Sequence, residues 1–377
     1  MAPAAAEPAR VMICDDSVVI RGAIARMLES DGGVRVVARV ANGRQAVEEV
    51  KRHRLAGQAI DVVVLDIEMP EMDGMQALPL LLRADPGLRV VMASTLTTRG
   101  ADIALQALRL GAADYLPKPS TVAIADDSFR RELVAKVTGL ARLRRRSGAP
   151  PAFGPPAFGS PASGSAASGS AAALRLRPAP AQRPDLLAIG SSTGGPQALF
   201  TLVQGLGDVA VPIVLTQHMP PAFTPLLATH LDRLGGPGCA EARDGEALRP
   251  GRLYLAPGDR HLLVDGGAGG LRARVTQGPA ENFCRPSVDP MLRSAVASCG
   301  GRVLVVMLTG MGHDGLDGTR AVVDAGGAAL AQDEATSVVW GMPGAIAQAG
   351  LCHKVLPLPQ LAAATLDLLR GTRKIAS

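Results

Sequence analysis

Between Ser147 and Pro180 the chain reads SGAPPAFGPPAFGSPASGSAASGSAAALRLRPAP, a run dominated by Pro, Gly, Ser and Ala with few large apolar residues. Such a segment cannot bury enough surface to offset the entropy of ordering it. It predicts a tether that splits the 377-residue chain in two. At roughly 100–200 residues per domain, the length also suits two domains. The repeated PAFG element reads as compositional drift, and the tether as a spacer in preference to a docking peptide. The 47% hydrophobic content of the whole chain excludes wholesale disorder.

Several function classes drop out early. No stretch approaches the ~20 apolar residues that cross a bilayer. The opening MAPAAAEPAR lacks the charged-then-apolar order of a signal peptide, so a cytoplasmic protein is expected. Five scattered cysteines with no CxxC pair predict reduced thiols. The net charge is +5 and aromatics are 2% of the chain. Nucleic-acid binders combine a basic face with aromatics that stack on bases, so no nucleic-acid partner is expected.

The N-terminal region alternates strand and helix signals. VMIC (11–14), VRVVARV (34–40), DVVVLD (61–66), LRVVMAS (88–94) and the stretch 113–116 read as five strands, with helical patterns between them. That alternation predicts a doubly wound α/β domain, whose function gathers at the carboxyl ends of its strands. Those ends carry Asp15-Asp16, Asp66, Ser94 and Lys118-Pro119. Crowded carboxylates call for a divalent cation with oxygen ligands. A lysine and a hydroxyl on the same rim suit phosphoryl oxygens. Asp66 as nucleophile would form an aspartyl phosphate. Each carboxylate alone could be a turn or cap residue; four such strand ends in one small domain point to a site.

In the C-terminal region, DLLAIGSSTGGPQAL is an apolar strand that turns through small residues into a helix. Gly190-x-Ser192-x-Gly194 has the G-x-S-x-G spacing that exposes a serine hydroxyl on a strained turn. A phosphate-cradling loop is the other reading of such a turn, although no P-loop or G-x-G-x-x-G spacing is present. A serine nucleophile needs a base. His218 ends the strand-like PIVLTQH and so lies at a strand's carboxyl end, with His313 as its rival. RVLVVMLTG (302–310) is the strongest buried-strand pattern and leads into Met311-Gly312-His313-Asp314-Gly315. Asp314 either orients His218 or merely caps the next helix. The glycines beside it let backbone amides face an oxyanion. RLYLAPGDRHLLVD (252–265) reads as a hairpin, and Asp289-Pro290 in RPSVDPML as a helix N-cap with proline at N1.

CDDS, DIEMPEMDG (66–74) and DYLPKP (114–119) together resemble a response-regulator receiver domain. The resemblance implies a flavodoxin-like, five-stranded parallel sheet with Asp66 as phosphoacceptor. It further implies Mg²⁺ held by Asp15, Asp16, Asp66 and the backbone carbonyl of Glu68. Ser94 and Tyr115 match the family's switch pair and Lys118 its phosphoryl-binding lysine. Pro119 falls where the family places a cis peptide. IGSSTGGPQAL, TQHMP, RPSVDPML, LTGMGHDG and VVWGMPGAI (338–346) resemble the CheB methylesterase domain, which implies a second doubly wound, mainly parallel α/β domain.

The implied organisation is a receiver over 9–146 closed by a helix at about 126–146, a linker over 147–182 and a catalytic domain over 183–373. The implied triad is Ser192, His218 and Asp314, with Thr193 and the Met311 amide at the oxyanion, and the esterase domain uses no cofactor. Substrates would be glutamyl methyl esters and glutamines of methyl-accepting chemoreceptors, a chemotaxis histidine kinase the phosphodonor, and the protein a monomer. The unphosphorylated receiver is expected to cover the catalytic strand ends, and Tyr115 to turn inward once Asp66 is phosphorylated. Two departures from the family stand out: Ser191 where Ala is usual, and His313 where Asn is common. A regulator with a DNA-binding output and a nucleotide-binding module without esterase activity are the competing readings.

Overall fold

The computed structural model describes residues 7–30, 32–94, 97–118, 127–147, 174–180, 182–267 and 269–371. Pro119, and with it the expected cis peptide, lies outside the described residues, as do 148–173 of the expected tether.

The first unit runs β1 (Ala9–Cys14), α1 (Val18–Glu29), β2 (Val34–Val40), α2 (Gly43–Leu55), β3 (Val62–Asp66), α3 (Gly74–Ala84), β4 (Arg89–Ser94), α4 (Thr98–Arg109), β5 (Asp114–Pro117) and α5 (Asp127–Ser147). Its five strands form one parallel sheet in the order β2-β1-β3-β4-β5. All five residues of β3 are buried, as expected of a β-branched run with helices on both faces. Local chemistry sets the helix starts: the side chains of Ser17, Asn42, Asp73 and Thr97 each accept a backbone N–H in the first turn.

The second unit begins β6 (Leu186–Ser191), α6 (Gly195–Leu206), β7 (Ile213–Gln217), α7 (Thr224–Asp232), β8 (Gly238–Glu241), β9 (Arg252–Leu255), β10 (His261–Gly267) and β11 (Gly270–Thr276). It continues α8 (Val288–Cys299), β12 (Val303–Met307), α9 (Leu316–Asp324), β13 (Ala328–Gln332), α10 (Met342–Gln348), β14 (Lys354–Leu356) and α11 (Leu358–Arg370). Seven of its strands make a parallel sheet ordered β14-β13-β12-β6-β7-β9-β8. Strand order reverses around β6, where ligands of open α/β sheets gather.

The hairpin expected over 252–265 does not form. β9 joins the central parallel sheet, with Leu253, Tyr254 and Leu255 all buried. The antiparallel hairpin is β10–β11. A strand buried on both faces and a hairpin strand can look alike over four residues.

The two units pack directly. Tyr115 of β5 stacks on Phe223, with ring centroids 4.7 Å apart and planes inclined by 20°. The Gln197 side-chain amide donates to the carbonyls of Leu108 and Ala112 at 2.7 and 2.6 Å. Arg142 of α5 pairs with Glu334 at 3.0 Å and donates to the Ser337 carbonyl at 3.1 Å. In the same basic stretch of α5, Arg144 meets Asp85 at 2.7 Å and Arg145 meets Asp61 at 2.8 Å. The described end of the expected tether, 174–180, also lies against the second unit. There the Arg177 amide donates to the Cys352 carbonyl and the Arg177 carbonyl meets His353 Nδ1, at 2.8 and 3.0 Å.

Candidate active site

β12, β6 and β7 are neighbours in the sheet, so their carboxyl ends share one rim. Ser192 follows β6, His218 follows β7, and Asp314 lies in the loop after β12. The turn carrying Ser192 is tight: its carbonyl accepts from the Gly195 amide at 2.7 Å and its amide donates to the Thr309 carbonyl at 3.0 Å. Gly194 sits at φ 75° against the Val338 side chain, a position that any Cβ would make untenable.

His218 Nε2 lies 2.7 Å from Asp314 Oδ2. Asp314 is buried and collects four further donors: Asn282 Nδ2 at 2.9 Å, Ser287 Oγ at 2.7 Å, and the amides of Val288 and Asp289 at 2.7 and 3.3 Å. Burial alone would raise the Asp314 pKa, but the His218 hydrogen bond and charge, helped by Val288 and Ser287, hold it well below the usual carboxylate range. Burial opposes the charged form of His218 as well. The bond to Asp314, then the contact with Cys284, nevertheless raises its pKa. The second ring nitrogen, Nδ1, lies 3.5 Å from Cys284 Sγ. Among the described residues none hydrogen-bonds the Ser192 hydroxyl, which is half-buried. Catalytic contacts of this kind commonly tighten only with substrate bound.

The adjacent serine has a different environment. Ser191 is fully buried and its hydroxyl donates to Gln217 Oε1 at 2.7 Å. The Gln217 amide nitrogen donates in turn to the Ser192 and His218 carbonyls, both at 3.0 Å, tying the two turns together. His313 is exposed, while Asp314 next to it turns inward. Thr193 is buried, with its carbonyl accepting from Thr309 Oγ1 at 2.8 Å, and Met311 lies half-buried on the same rim.

RPSVDPML does not act as the sequence suggested. Ser287 holds the N-cap position of α8, and Asp289 lies in the first turn. Asp289 accepts from the Gly318 amide at 2.6 Å and from Asn282 at 2.8 Å. Buried Ser287 and Asp289, with half-buried Asn282, thus form a support for Asp314 that sequence reasoning missed. The only signal was the polar Ser and Asp in an otherwise apolar helix start.

In the first unit the carboxylates of Asp15, Asp16 and Asp66 converge. Ligand atoms of Asp15, Asp16 and Asp66 lie within 4.8 Å of one another. Lys118 Nζ lies 2.6 Å from Asp66 Oδ2 and 3.2 Å from Asp15 Oδ2. Those two buried oxygens meet only that ammonium and accept no other hydrogen bond. Burial pushes the Asp66 carboxyl up to about 6, with Lys118 pulling against it and Asp15 adding to it. Two carboxylates sharing one ammonium, a third carboxylate beside them and buried lone pairs left over fit a hard divalent cation such as Mg²⁺. Glu68 borders the same pocket, and its amide donates to Asp66 Oδ1 at 3.3 Å. Ser94 is buried at the end of β4, and the Lys118 amide donates to its carbonyl at 2.7 Å. Tyr115 is already buried, stacked on Phe223 of the second unit.

Among the described residues no helix is long and apolar enough to cross a membrane. The response-regulator receiver family model matches residues 11–126, and the CheB methylesterase family model residues 187–365. The protein-glutamate methylesterase/protein-glutamine glutaminase 1 of Paramagnetospirillum magneticum is 51% identical, over 95% of both chains. The enzyme of the same name from the group 2 operon of Rhodospirillum centenum is 54% identical, over 94% of this chain and 92% of that one. The crystal structure of the Thermotoga maritima CheB methylesterase catalytic domain is 37% identical with a TM-score of 0.48, covering 51% of this chain and all of that one. With both family models matched in this order and about half of all residues shared along almost the full length, the chain belongs to the CheB family of receiver-linked protein-glutamate methylesterases/protein-glutamine glutaminases.

Proposed function

We propose that the chain hydrolyses glutamyl methyl esters of methyl-accepting chemoreceptors, and deamidates their glutamines, with Ser192 as nucleophile, His218 as general base and Asp314 as its orienting acid. The observation that carries this reading is the 2.7 Å bond between His218 and Asp314, on the strand ends that flank the one bearing Ser192. With Nε2 committed to Asp314, Nδ1 is the nitrogen left to take the Ser192 proton. The serine oxygen attacks the γ-carbonyl, and the oxyanion forms near Thr193 and the Met311 amide. Methanol leaves, protonated by His218. Water deprotonated by the same ring then hydrolyses the acyl-enzyme, and a glutamine amide loses ammonia along the same course. The esterase domain needs no cofactor for these steps. Burial of Ser191 against Gln217 and exposure of His313 support Ser192 and His218 as the pair.

The division proposed is a receiver over 9–146, a linker over 147–182 and a catalytic domain over 183–373. In the receiver, a histidine kinase phosphorylates Asp66. Asp15, Asp16, Asp66 and the Glu68 carbonyl would hold Mg²⁺, which shields the charge of the incoming phosphoryl group, while Lys118 and Ser94 meet its oxygens. The protein works as a cytoplasmic monomer without nucleic acid. At rest the receiver packs over the catalytic turn through Asp114, Tyr115 and Gln197, and phosphorylation loosens that contact. Methanol release from membranes carrying methylated receptors tests the reading. Release should rise with a small phosphodonor, and Ser192 should be labelled by a fluorophosphonate. A chain that binds nucleotide but releases no methanol and takes no label refutes it.

A further inference from the structure

Phe283 is fully exposed, at 104% of its reference surface, while the residues on either side of it touch the catalytic pair. Asn282 Nδ2 donates to Asp314 at 2.9 Å, and Cys284 Sγ lies 3.5 Å from His218 Nδ1. The turn is closed by paired backbone bonds between Glu281 and Cys284, at 3.1 and 2.9 Å. Asn282 and Phe283 both sit at positive φ, 53° and 61°. Asparagine visits that region readily; phenylalanine does so only where the surroundings impose it. Here they do. Glu281 forms a two-pronged pair with Arg293 at 2.6 and 2.7 Å. On the other arm, Arg285 grips Asp259 at 2.6 Å and the Gly278 carbonyl at 3.0 Å. The turn is therefore rigid, strained at its tip, and holds a bare aromatic ring at a fixed place beside the triad.

A free-standing Phe on a braced, strained turn gains nothing in the folded chain alone, because the ring packs against nothing. Strain of this kind persists where it positions a group for binding, and exposed aromatics are typical anchors of protein recognition. We propose that Phe283 is a specificity-determining residue: it docks on an apolar patch of the protein substrate beside the modified glutamate and sets the distance from that patch to Ser192. This inference rests on the methylesterase reading above. It explains how an enzyme whose chemistry needs only a side-chain ester selects a protein over a free small ester. It also places recognition on a surface that the receiver leaves uncovered at rest.

The test compares two substrates on the full, phosphodonor-treated chain: a soluble, methylated receptor cytoplasmic fragment and p-nitrophenyl acetate. Losing burial of one aromatic ring should raise KM for the fragment by about tenfold in Phe283→Ala. The kcat for the fragment and the hydrolysis of the small ester should stay near wild type, and Phe283→Leu should recover most of the loss. Equal damage to both substrates would make the turn a structural brace of His218 and Asp314 and overturn the proposal, as would no change in either. A defect seen with receptors in membranes but not with the soluble fragment would assign the ring to lipid and also overturn it. Wild-type chain that releases no methanol at all would instead refute the methylesterase reading.

Discussion

The carboxylate of Asp114, on the last receiver strand, accepts a hydrogen bond at 3.0 Å from the backbone amide of Gly194, two residues after Ser192. Gly194 is the N-cap of α6, so a receiver side chain caps the helix that begins at the catalytic turn. Lys136 of α5 completes the unit: its ammonium lies 3.2 Å from Asp114 and donates to the Tyr115 carbonyl at 2.6 Å, with all three residues buried. Burial pushes the Asp114 carboxyl up, and Lys136 and the Gly194 amide pull it back. A negative charge suits a helix N-terminus. In the proposed mechanism it would also oppose an oxyanion formed at the same turn.

Asp114→Asn keeps the shape of this contact while removing its charge, which roughly halves the strength of such a bond. Basal methanol release from the unphosphorylated chain should rise severalfold, and stimulation by a phosphodonor should shrink to match. The single tryptophan, Trp340, borders the crevice between α5 and the second domain, so its emission should move toward that of the phosphorylated wild type. Unchanged basal activity with unchanged emission would remove Asp114 from the resting contact.

The paired serines separate cleanly. Ser192→Ala should lose on the order of 10⁴-fold or more in kcat, as triad nucleophiles do. Ser191→Ala leaves Gln217 Oε1 without its buried donor, which costs about 1–3 kcal/mol of stability. Its activity at 25 °C should survive and its Tm should fall. An active Ser192→Ala with a dead Ser191→Ala would reverse the assignment.

His218→Ala should be nearly inactive and His313→Asn nearly normal. The pH dependence follows from the directions of the two shifts. The His218 pKa is raised above its ordinary 6.5, so the ring's contribution to stability is complete below 6.5 and is lost as pH rises through the folded value. The Asp314 pKa is depressed below its ordinary 3.8, so its contribution is complete above 3.8 and is lost on acidification. The Tm gap between wild type and Asp314→Asn should therefore peak between these two values and narrow on the alkaline side. Activity should climb with pH over the range where stability from the pair declines, because His218 acts as the proposed base only as a neutral ring. A Tm gap that widens toward alkaline pH would mean that the pair is not an ion pair at rest.

Much of this was legible because both domains announce their strands. DVVVLD and RVLVVMLTG are long β-branched runs, and the polar residue after each such strand is forced to the rim. Ser192, His218 and Asp314 could be placed in that way, as could Asp66 and Lys118. Asn282, Cys284 and Gln217 could not, because their role is set by which strand lies beside which. No local pattern says that a turn at 281–284 will meet a loop at 314. Contact between the units was expected from the resemblance, but the residues that make it were hidden for the same reason: Asp114 looks like an ordinary strand residue until Gly194 is beside it.

Mg²⁺ should raise the Tm of the full chain, since a ligand at 100 times its Kd adds about 2.7 kcal/mol to the state that binds it. A chelator should reverse the shift. Asp15→Asn and Asp16→Asn should each abolish most of it, while Ser192→Ala leaves it intact. A Tm indifferent to Mg²⁺ would leave the carboxylate cluster to Lys118 alone.

Gly139 gives the sharpest test of covering. It lies inside α5, where glycine is about 0.5–1 kcal/mol less stable than alanine. A Cβ on it would run into the Val338 carbonyl oxygen of the second domain. Gly139→Ala should therefore favour the helix of the receiver and penalise only the packed state. The prediction is a chain at least as stable as wild type whose basal esterase activity is raised without any phosphodonor. The effect should persist in Gly139→Ala/Asp66→Asn, because the wedge acts downstream of phosphorylation, whereas Asp66→Asn alone should keep basal activity and lose activation. A complete swing from 1:99 to 99:1 would take about 5.5 kcal/mol, so partial activation is expected from one methyl group. If Gly139→Ala remained as slow as wild type while folding normally, packing of α5 on Val338 would not restrain the enzyme. Activation would then have to be a positive action of the phosphorylated receiver.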